Sequence, residues 1–305
     1  MAQGLDDFVI LITGAQGVVG QPLAERLKSE GKRCLMVSRS ANHKQASWLR
    51  WDLNEPADQV VRTQLAEVST LIHCAPIWLL PPRLADLSSA RLTRLVVFSS
   101  TSVLSKQGSA NTQEQVLVQK LADAEAAIQT HCDLHKLHLT ILRPSMIYGY
   151  GLDQNVMHIA RFIRKYRFMP LVGAANGGRQ PVHAEDLVSA ALRILQDANT
   201  YSKTYSLAGG EVLTYRAMVE RICRGVGQSP RILSIPLGVF RTLLMLASKI
   251  GRFDYTPEMA NRMSQDLCYD ISPAQSDFGY SPQAFLLNPQ RDLSITGNPL
   301  QSDQG

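Results

Sequence analysis

Three glycines, Gly14, Gly17 and Gly20, are the residues whose spacing first suggests chemistry. They lie in Leu11-Ile12-Thr13-Gly14-Ala15-Gln16-Gly17-Val18-Val19-Gly20, after an apolar run from Phe8 to Ile12 and before Pro22-Leu23-Ala24-Glu25-Arg26-Leu27. The run reads as a buried strand and the following stretch as a helix. A strand, a glycine turn and a helix in that order form a phosphate cradle, because unpaired N–H groups and the positive end of the helix dipole face the turn. Gly14 can make the tight turn. Gly17, with Val18 and Val19 beside it, leaves room for a pyrophosphate, and Gly20 lets the helix approach the sheet.

The next strand, Arg33 to Val37, ends at Ser38-Arg39-Ser40, where a dinucleotide-binding fold meets the adenosine ribose. An acidic residue there would accept from the 2′-hydroxyl. Arg39 with flanking serines suits a 2′-phosphate instead, so NADP is favoured over NAD. Asp52, at the end of a third strand from Trp48 to Leu53, is placed to accept from the adenine amino group. The strand from Val68 to Cys74 runs into Ala75 and Pro76. Cys74, Ala75 and Pro76 are small enough for the chain to pass close to a cofactor, and His73 reads as a packed strand residue.

These residues sit in a chain of 305, 45% of it hydrophobic, ample for a large core. Thirty-one basic and 26 acidic residues leave a formal charge of +5, which permits an anionic small ligand and does not indicate a nucleic-acid surface. The cysteines, at 34, 74, 132, 223 and 268, are odd in number and form no C-x-x-C pair, as expected of reduced thiols in the cytoplasm. The first residues lack a signal-peptide pattern, and no apolar run is long enough for a membrane span. His131, Cys132 and His135 share a helical face, but His138 belongs to the next strand and no carboxylate completes a set, so no metal is expected.

Strands and helices alternate through Leu92–Ser99, Thr112–Thr130, Leu137–Leu142, Asn155–Arg167, Asp186–Leu195 and Thr204–Leu207. That alternation predicts an α/β fold, a Rossmann-like doubly wound parallel sheet with a smaller C-terminal lobe. Leu237 to Ile250 is apolar on most faces, broken by Arg241 and Lys249. A core helix, a protein contact and an interfacial membrane segment stay open for it. From Asn288 the pattern lapses, and residues 288–305 read as a mobile tail.

Four stretches in this order resemble the short-chain dehydrogenase/reductase superfamily, and within it the extended NAD-dependent epimerase/dehydratase branch that acts on nucleotide sugars. They are Thr13 to Gly20, Phe98-Ser99-Ser100-Thr101-Ser102-Val103, Leu142-Arg143-Pro144-Ser145-Met146-Ile147-Tyr148-Gly149, and Arg179-Gln180-Pro181-Val182-His183-Ala184-Glu185-Asp186-Leu187. The resemblance implies that Ser100 is the catalytic serine with Ser99 adjacent, and that Pro144 and Ser145 lie near the nicotinamide. It implies that Asn155 and Arg179 hold the diphosphate of a nucleotide sugar. It also implies a dinucleotide-binding domain over 1–150, rejoined by about 181–208, and a substrate lobe from 151–180 and 209–287.

One departure from the family matters most. Its Tyr-x-x-x-Lys pair supplies the acid/base and a lysine that also holds the cofactor ribose. Here the pattern reads Val116-Leu117-Val118-Gln119-Lys120, so Lys120 fits the lysine and Val116 takes the tyrosine's place. Tyr148, Tyr150, His73 and His183 are candidates to substitute. The stretch from Ala75 to Arg91 is also short for the helix that helps form the family's dimer, which leaves the oligomeric state open. The resemblance therefore implies an oxidoreductase or epimerase on a nucleotide-sugar-like substrate. The rival is a non-catalytic dinucleotide-binding protein docked to a partner or membrane through 237–250.

Overall fold

A computed structural model of the chain describes residues 9–40, 47–87, 89, 91–106, 108–109, 111–240 and 262–294. The elements that position the site begin with β1 (Val9–Thr13), α1 (Gly20–Ser29), β2 (Cys34–Ser38), β3 (Trp48–Arg50), α2 (Gln59–Leu65) and β4 (Val68–His73). They continue with β5 (Arg94–Phe98), α3 (Ser102–Ser105), α4 (Thr112–His135), β6 (His138–Pro144) and β7 (Ile147–Tyr148). Next come α5 (Val156–Tyr166), β8 (Met169–Val172), β9 (Gly178–Arg179), β10 (Val182–His183), α6 (Ala184–Ile194) and β11 (Lys203–Leu207). The chain then forms β12 (Leu213–Thr214), α7 (Tyr215–Gly225), β13 (Ile232–Ile235), α8 (Ser272–Phe278) and α9 (Pro289–Asp292).

Seven strands form one sheet in the order β11-β6-β5-β4-β1-β2-β3, and every pairing in it is parallel. All five residues of β1 and all six of β4 are buried, as strands covered on both faces require. Alternate residues serve opposite faces. Leu11, Leu71, Leu95 and Val97 meet Leu121 and Ile128 of α4. Ile12, Ile72 and Val96 meet Leu23 and Leu27 of α1, Leu187 and Ala191 of α6, and Phe278 of α8. Strand order reverses at β1, between β2 and β4, and opens a crevice at the carboxyl ends there.

Helix ends follow local chemistry. Asn111 caps α4 by accepting from the N–H groups of Gln113 at 2.8 Å and Glu114 at 3.3 Å. α4 runs on past Thr130 to His135 and stops only where Lys136 turns left-handed, at φ 55°. Among its described residues, the link from β4 to β5 holds two short 3-10 turns, Ile77–Leu79 and Pro81–Arg83, and no full helix. Ile77, Leu80, Leu84 and Leu87 are buried in the core that α4 shares.

A third core builds the smaller lobe from Val156, Ile159 and Ile163 of α5, Leu171 of β8, and Met218 and Ile222 of α7. Two sequence expectations change here. α8 falls within the expected substrate lobe, yet Ala274 and Phe278 pack in the core of the seven-stranded sheet. The chain beyond Asn288 is no tail as far as Ser294: Asp292 and Leu293 are each 1% exposed, and Leu293 closes the third core. An apolar side chain and a paired carboxylate there outweigh the missing periodicity. The stretch Leu237–Ile250 is described only to Phe240, and its remainder lies outside the described residues. Among the described residues no helix is long and apolar enough to cross a membrane.

The lobes are tied by a buried hydrogen bond between His183 and Asp292. His183 caps α6, accepting from Glu185 N–H at 3.0 Å through Nδ1, and its Nε2 lies 3.0 Å from Asp292 Oδ1. Arg291 Nε donates to the same oxygen at 2.8 Å. Although burial opposes it, bonding from His183 and Arg291 holds the Asp292 carboxyl below the usual carboxylate range. A depressed folded-state value means stability present above the unfolded value and lost as pH falls through the folded one. Asp292→Ala should therefore cost about 2–4 kcal/mol in urea unfolding at neutral pH. Asp292→Asn should remove part of the acid-side fall in stability that the parent shows below about pH 4.

Candidate active site

The glycine turn is built so tightly that side chains would fill it. Gly14 sits at φ +68°, and a Cβ there would lie 2.6 Å from the Ala75 amide nitrogen. A Cβ on Gly20 would lie 2.2 Å from the Gly14 carbonyl oxygen. Gly17 N–H donates to that oxygen at 2.9 Å, closing the turn. The α1 N-terminus is thereby drawn to the end of β1, with no side-chain cap of its own. Such a bare, positively polarised helix start fits a pyrophosphate.

On one side of the turn lies a cavity of about 380 Å³, lined by Gly14, Gln16, Ser38, Arg39, Asp52 and Trp51 among others. Gln16 Oε1 accepts from Ser38 Oγ at 2.8 Å and Ser40 Oγ at 3.4 Å, stitching the glycine loop to the end of β2. Arg39 is exposed at the rim. Asp52 Oδ1 accepts from the backbone N–H of Asn54 at 3.0 Å and from its Nδ2 at 2.8 Å. Those bonds, with a smaller contribution from Arg39, hold the Asp52 carboxyl below its usual range, so it is an anion and an acceptor.

On the other side a second cavity, about 370 Å³, shares Gly17, Cys74, Ala75 and Pro76 with the first. Val18 and Val19 line it too, as do Ser99, Ser100 and Pro144. Ser100 Oγ accepts from Ser102 N–H at 3.1 Å and donates to Ser102 Oγ at 3.1 Å. Ser99 Oγ turns back, donating at 2.5 Å to Glu125, which also receives Nε and Nη2 of Arg143. The residues that α4 presents to this cavity are Leu117 and Leu121. Val116 is 49% exposed, and Lys120 is exposed and off the cavity wall.

The face that α4 turns to this cavity is thus hydrocarbon. Leu117 and Leu121 are four residues apart, so they share a helix face, one residue out of register with Val116 and Lys120. Lys120, taken from the sequence as the catalytic lysine, has no place at this wall. Cys74 is the titratable group among the lining residues, and burial pushes its thiol up, away from the reactive thiolate.

None of the four groups considered as substitutes lines either cavity. His73 is fully buried, its Nδ1 2.8 Å from Thr13 Oγ1, and burial lowers its pKa to about 4. Tyr148 accepts from Leu286 N–H at 3.0 Å, and Tyr150 donates to Glu185; burial pushes both phenols up. His183 is held by Asp292. The expected diphosphate residues are elsewhere as well. Arg179 is 3% exposed and donates to the carbonyls of Gly178, Gln265 and Arg262, at 2.7, 2.7 and 2.5 Å. Three of its five N–H donors bind the chain at 262–265 to β9, which commits this buried guanidinium to holding backbone together. Asn155 is exposed beside the start of α5, where Asp153 does the capping. Ser145 Oγ donates to the Gln180 carbonyl at 2.5 Å.

The sequence pattern of the NAD dependent epimerase/dehydratase family matches residues 10–78 and 78–208. The chain belongs to that family. Among solved structures it is similar to UDP-glucuronic acid 4-epimerase from Bacillus cereus in complex with NAD. There the TM-score is 0.70 and identity 14%, over 94% of this chain and 96% of that one. An uncharacterized protein of Sinorhizobium fredii, y4nG, is 29% identical over 147 residues, covering 48% of this chain and 37% of its own length. Subunit 9 of the NADH dehydrogenase [ubiquinone] 1 alpha subcomplex, mitochondrial, of Arabidopsis thaliana is 30% identical over 105 residues. That match covers 34% of this chain and 26% of the plant protein. This chain therefore matches well under half the length of either relative.

Within this family fold, sequence reading missed Gln16, Leu117, Leu121 and Glu125. Gln16 lay inside the glycine motif without a role. The other three recur at every fourth residue of α4, a spacing that marks one face without saying what it meets. Gly20→Ala forces α1 away from the Gly14 carbonyl. It should weaken binding of reduced nicotinamide cofactor at least tenfold, read by cofactor fluorescence. Unchanged affinity would show that the turn is not the cradle.

Proposed function

We propose that the protein is an NADP(H)-binding member of the family that does not use the family's tyrosine–lysine pair, and that its second cavity accepts a nucleotide-sugar-like substrate for oxidoreductase or epimerase chemistry. The observation that carries the proposal is Leu117 and Leu121 facing the serines, beside an intact glycine cradle. A bound nicotinamide would supply hydride exchange. The glycine turn and the α1 N-terminus would hold its pyrophosphate, Arg39 with Ser40 a 2′-phosphate, and Asp52 the adenine. Ser100 and Ser102 would orient a substrate oxygen through their hydroxyls. With no group of near-neutral pKa on the cavity wall, a proton would have to be exchanged with water. The loss of a positioned acid/base costs a factor of roughly 10²–10⁴ in rate.

A second reading is favoured by the same leucines: a dinucleotide-binding protein without turnover. The similarity to a protein named as a subunit of NADH dehydrogenase supports it, since a bound nucleotide can stabilise an assembly component without reacting.

Thermal unfolding with each of the four cofactor forms tests binding. A ligand at a hundred times its dissociation constant adds about 2.7 kcal/mol. NADP(H) should shift the transition more than NAD(H), and Arg39→Asp should erase that difference; an equal response to both would remove the preference. Leu117→Tyr combined with Leu121→Lys tests the site. Epimerised or reduced product from a sugar-nucleotide panel should rise at least tenfold over the parent. No gain, in a variant that still binds cofactor, would favour the reading without turnover.

A further inference from the structure

We propose that the outer face of the smaller lobe, where α5 meets the β8–β13 pair, is a docking surface for an anionic lipid bilayer. The inference stands apart from the reading of the cofactor cleft. It begins with charge. No aspartate or glutamate occurs between Asp153 and Glu185, a stretch that carries Arg161, Arg164, Lys165 and Arg167. None occurs between Glu220 and Asp254 either, where Arg221, Arg224 and Arg231 are followed by Arg241, Lys249 and Arg252. The two acid-free stretches are far apart in sequence, and the fold joins their described parts at β8 and β13. β8 and β13 pair in parallel with Met169 opposite Ile232, so Phe168 and Arg231 come side by side.

The joined surface is apolar as well as basic. Tyr166 is 48% exposed, Phe168 39% and Leu233 56%. The Phe162 ring lies tilted 4.6 Å from that of Tyr166 and edge-on 6.1 Å from that of Phe168, and Lys165 Nζ lies 5.0 Å from the Tyr166 ring. Phe168, Arg231, Ile232 and Leu233 line an open hollow of about 390 Å³. Leu237 and Val239 extend the exposed apolar surface toward the end of the described segment at Phe240. Not every cation serves this face: Arg164 turns inward to the Leu293 carbonyl at 2.7 Å, and Arg221 is paired with Glu211.

Aromatic rings with polar tips, aliphatic side chains and arginines without acidic neighbours are what a headgroup region bearing negative charge accepts. The rings and aliphatic groups bury in the interface, while Arg161, Lys165, Arg167 and Arg231 remain among the phosphates. A protein partner would equally cover apolar area, but an acid-free surface of this breadth selects a uniformly anionic one.

The test uses the full chain and vesicles of phosphatidylcholine alone or with one-quarter phosphatidylglycerol. Flotation should carry the protein with the anionic vesicles, and raising salt toward 0.5 M should release most of it by screening. Each basic residue near such a surface contributes about fivefold to partitioning. Arg161→Gln, Lys165→Gln and Arg231→Gln together should then lower it about a hundredfold, with thermal transition and cofactor affinity unchanged. Phe168→Ser with Leu233→Ser should abolish whatever binding survives high salt. Absence from the anionic-vesicle fraction overturns the proposal. So does equal binding to both vesicle types, or a triple variant that floats like the parent.

Discussion

The close approach of α1 to the end of β1 is the constraint on which the site depends. The Gly14 carbonyl is the contact point: Gly17 N–H bonds to it, and Gly20 passes near enough that a methyl group would overlap it. Because the helix starts there without a side-chain cap, its positive end faces the crevice at the β1–β4 switch point. Cys74, Ala75 and Pro76, at the end of β4, close the other wall of the same turn. Any widening would separate the two cavities that now share these residues. The shape of the crevice is thus a consequence of backbone packing more than of any charged side chain.

Catalytic capacity depends on a different balance. Leu121 is buried against the core, and Leu117 packs on it from the cavity side. Behind them Glu125, held by Arg143 and Ser99, is the nearest charge on that face of α4, but it is fully engaged and 7% exposed. A buried carboxylate of this kind persists only with its partners in place. Its work is to fix the end of β5 and β6 against α4, and so to aim Ser100 at the cavity. The site is well ordered and short of protons. That combination suits a bound dinucleotide, and limits reactions that need a strong acid or base.

Much of this was legible in order along the chain. The parallel sheet followed from alternating strands and helices, since fully buried strands read as unbroken apolar runs. The cradle followed from glycine spacing, because close backbone approach excludes side chains wherever it occurs. Ser100, Arg39 and Asp52 were legible as lying at strand ends, and each lines the cleft or its rim. Lys120 and Arg179 lie off both cavities for one reason. Their residue types suit an active site, but helix rotation and the path of the return segment decide where they point. Arg179 meets carbonyls from residues 262–265, more than eighty positions away, a contact no local pattern announces.

The sequence by itself determined the fold class, the family and the tight glycine turn. These rest on local periodicity and on glycines that tolerate no alternative. It also determined that no tyrosine stands between residues 99 and 147. Only the tertiary structure decided which face of α4 meets the serines. That depends on how Leu121 and Ile128 seat against β4 and β5, a matter of packing and not of pattern. The tertiary structure also brought Phe168 beside Arg231, because parallel pairing of β8 with β13 joins segments that are remote in the chain.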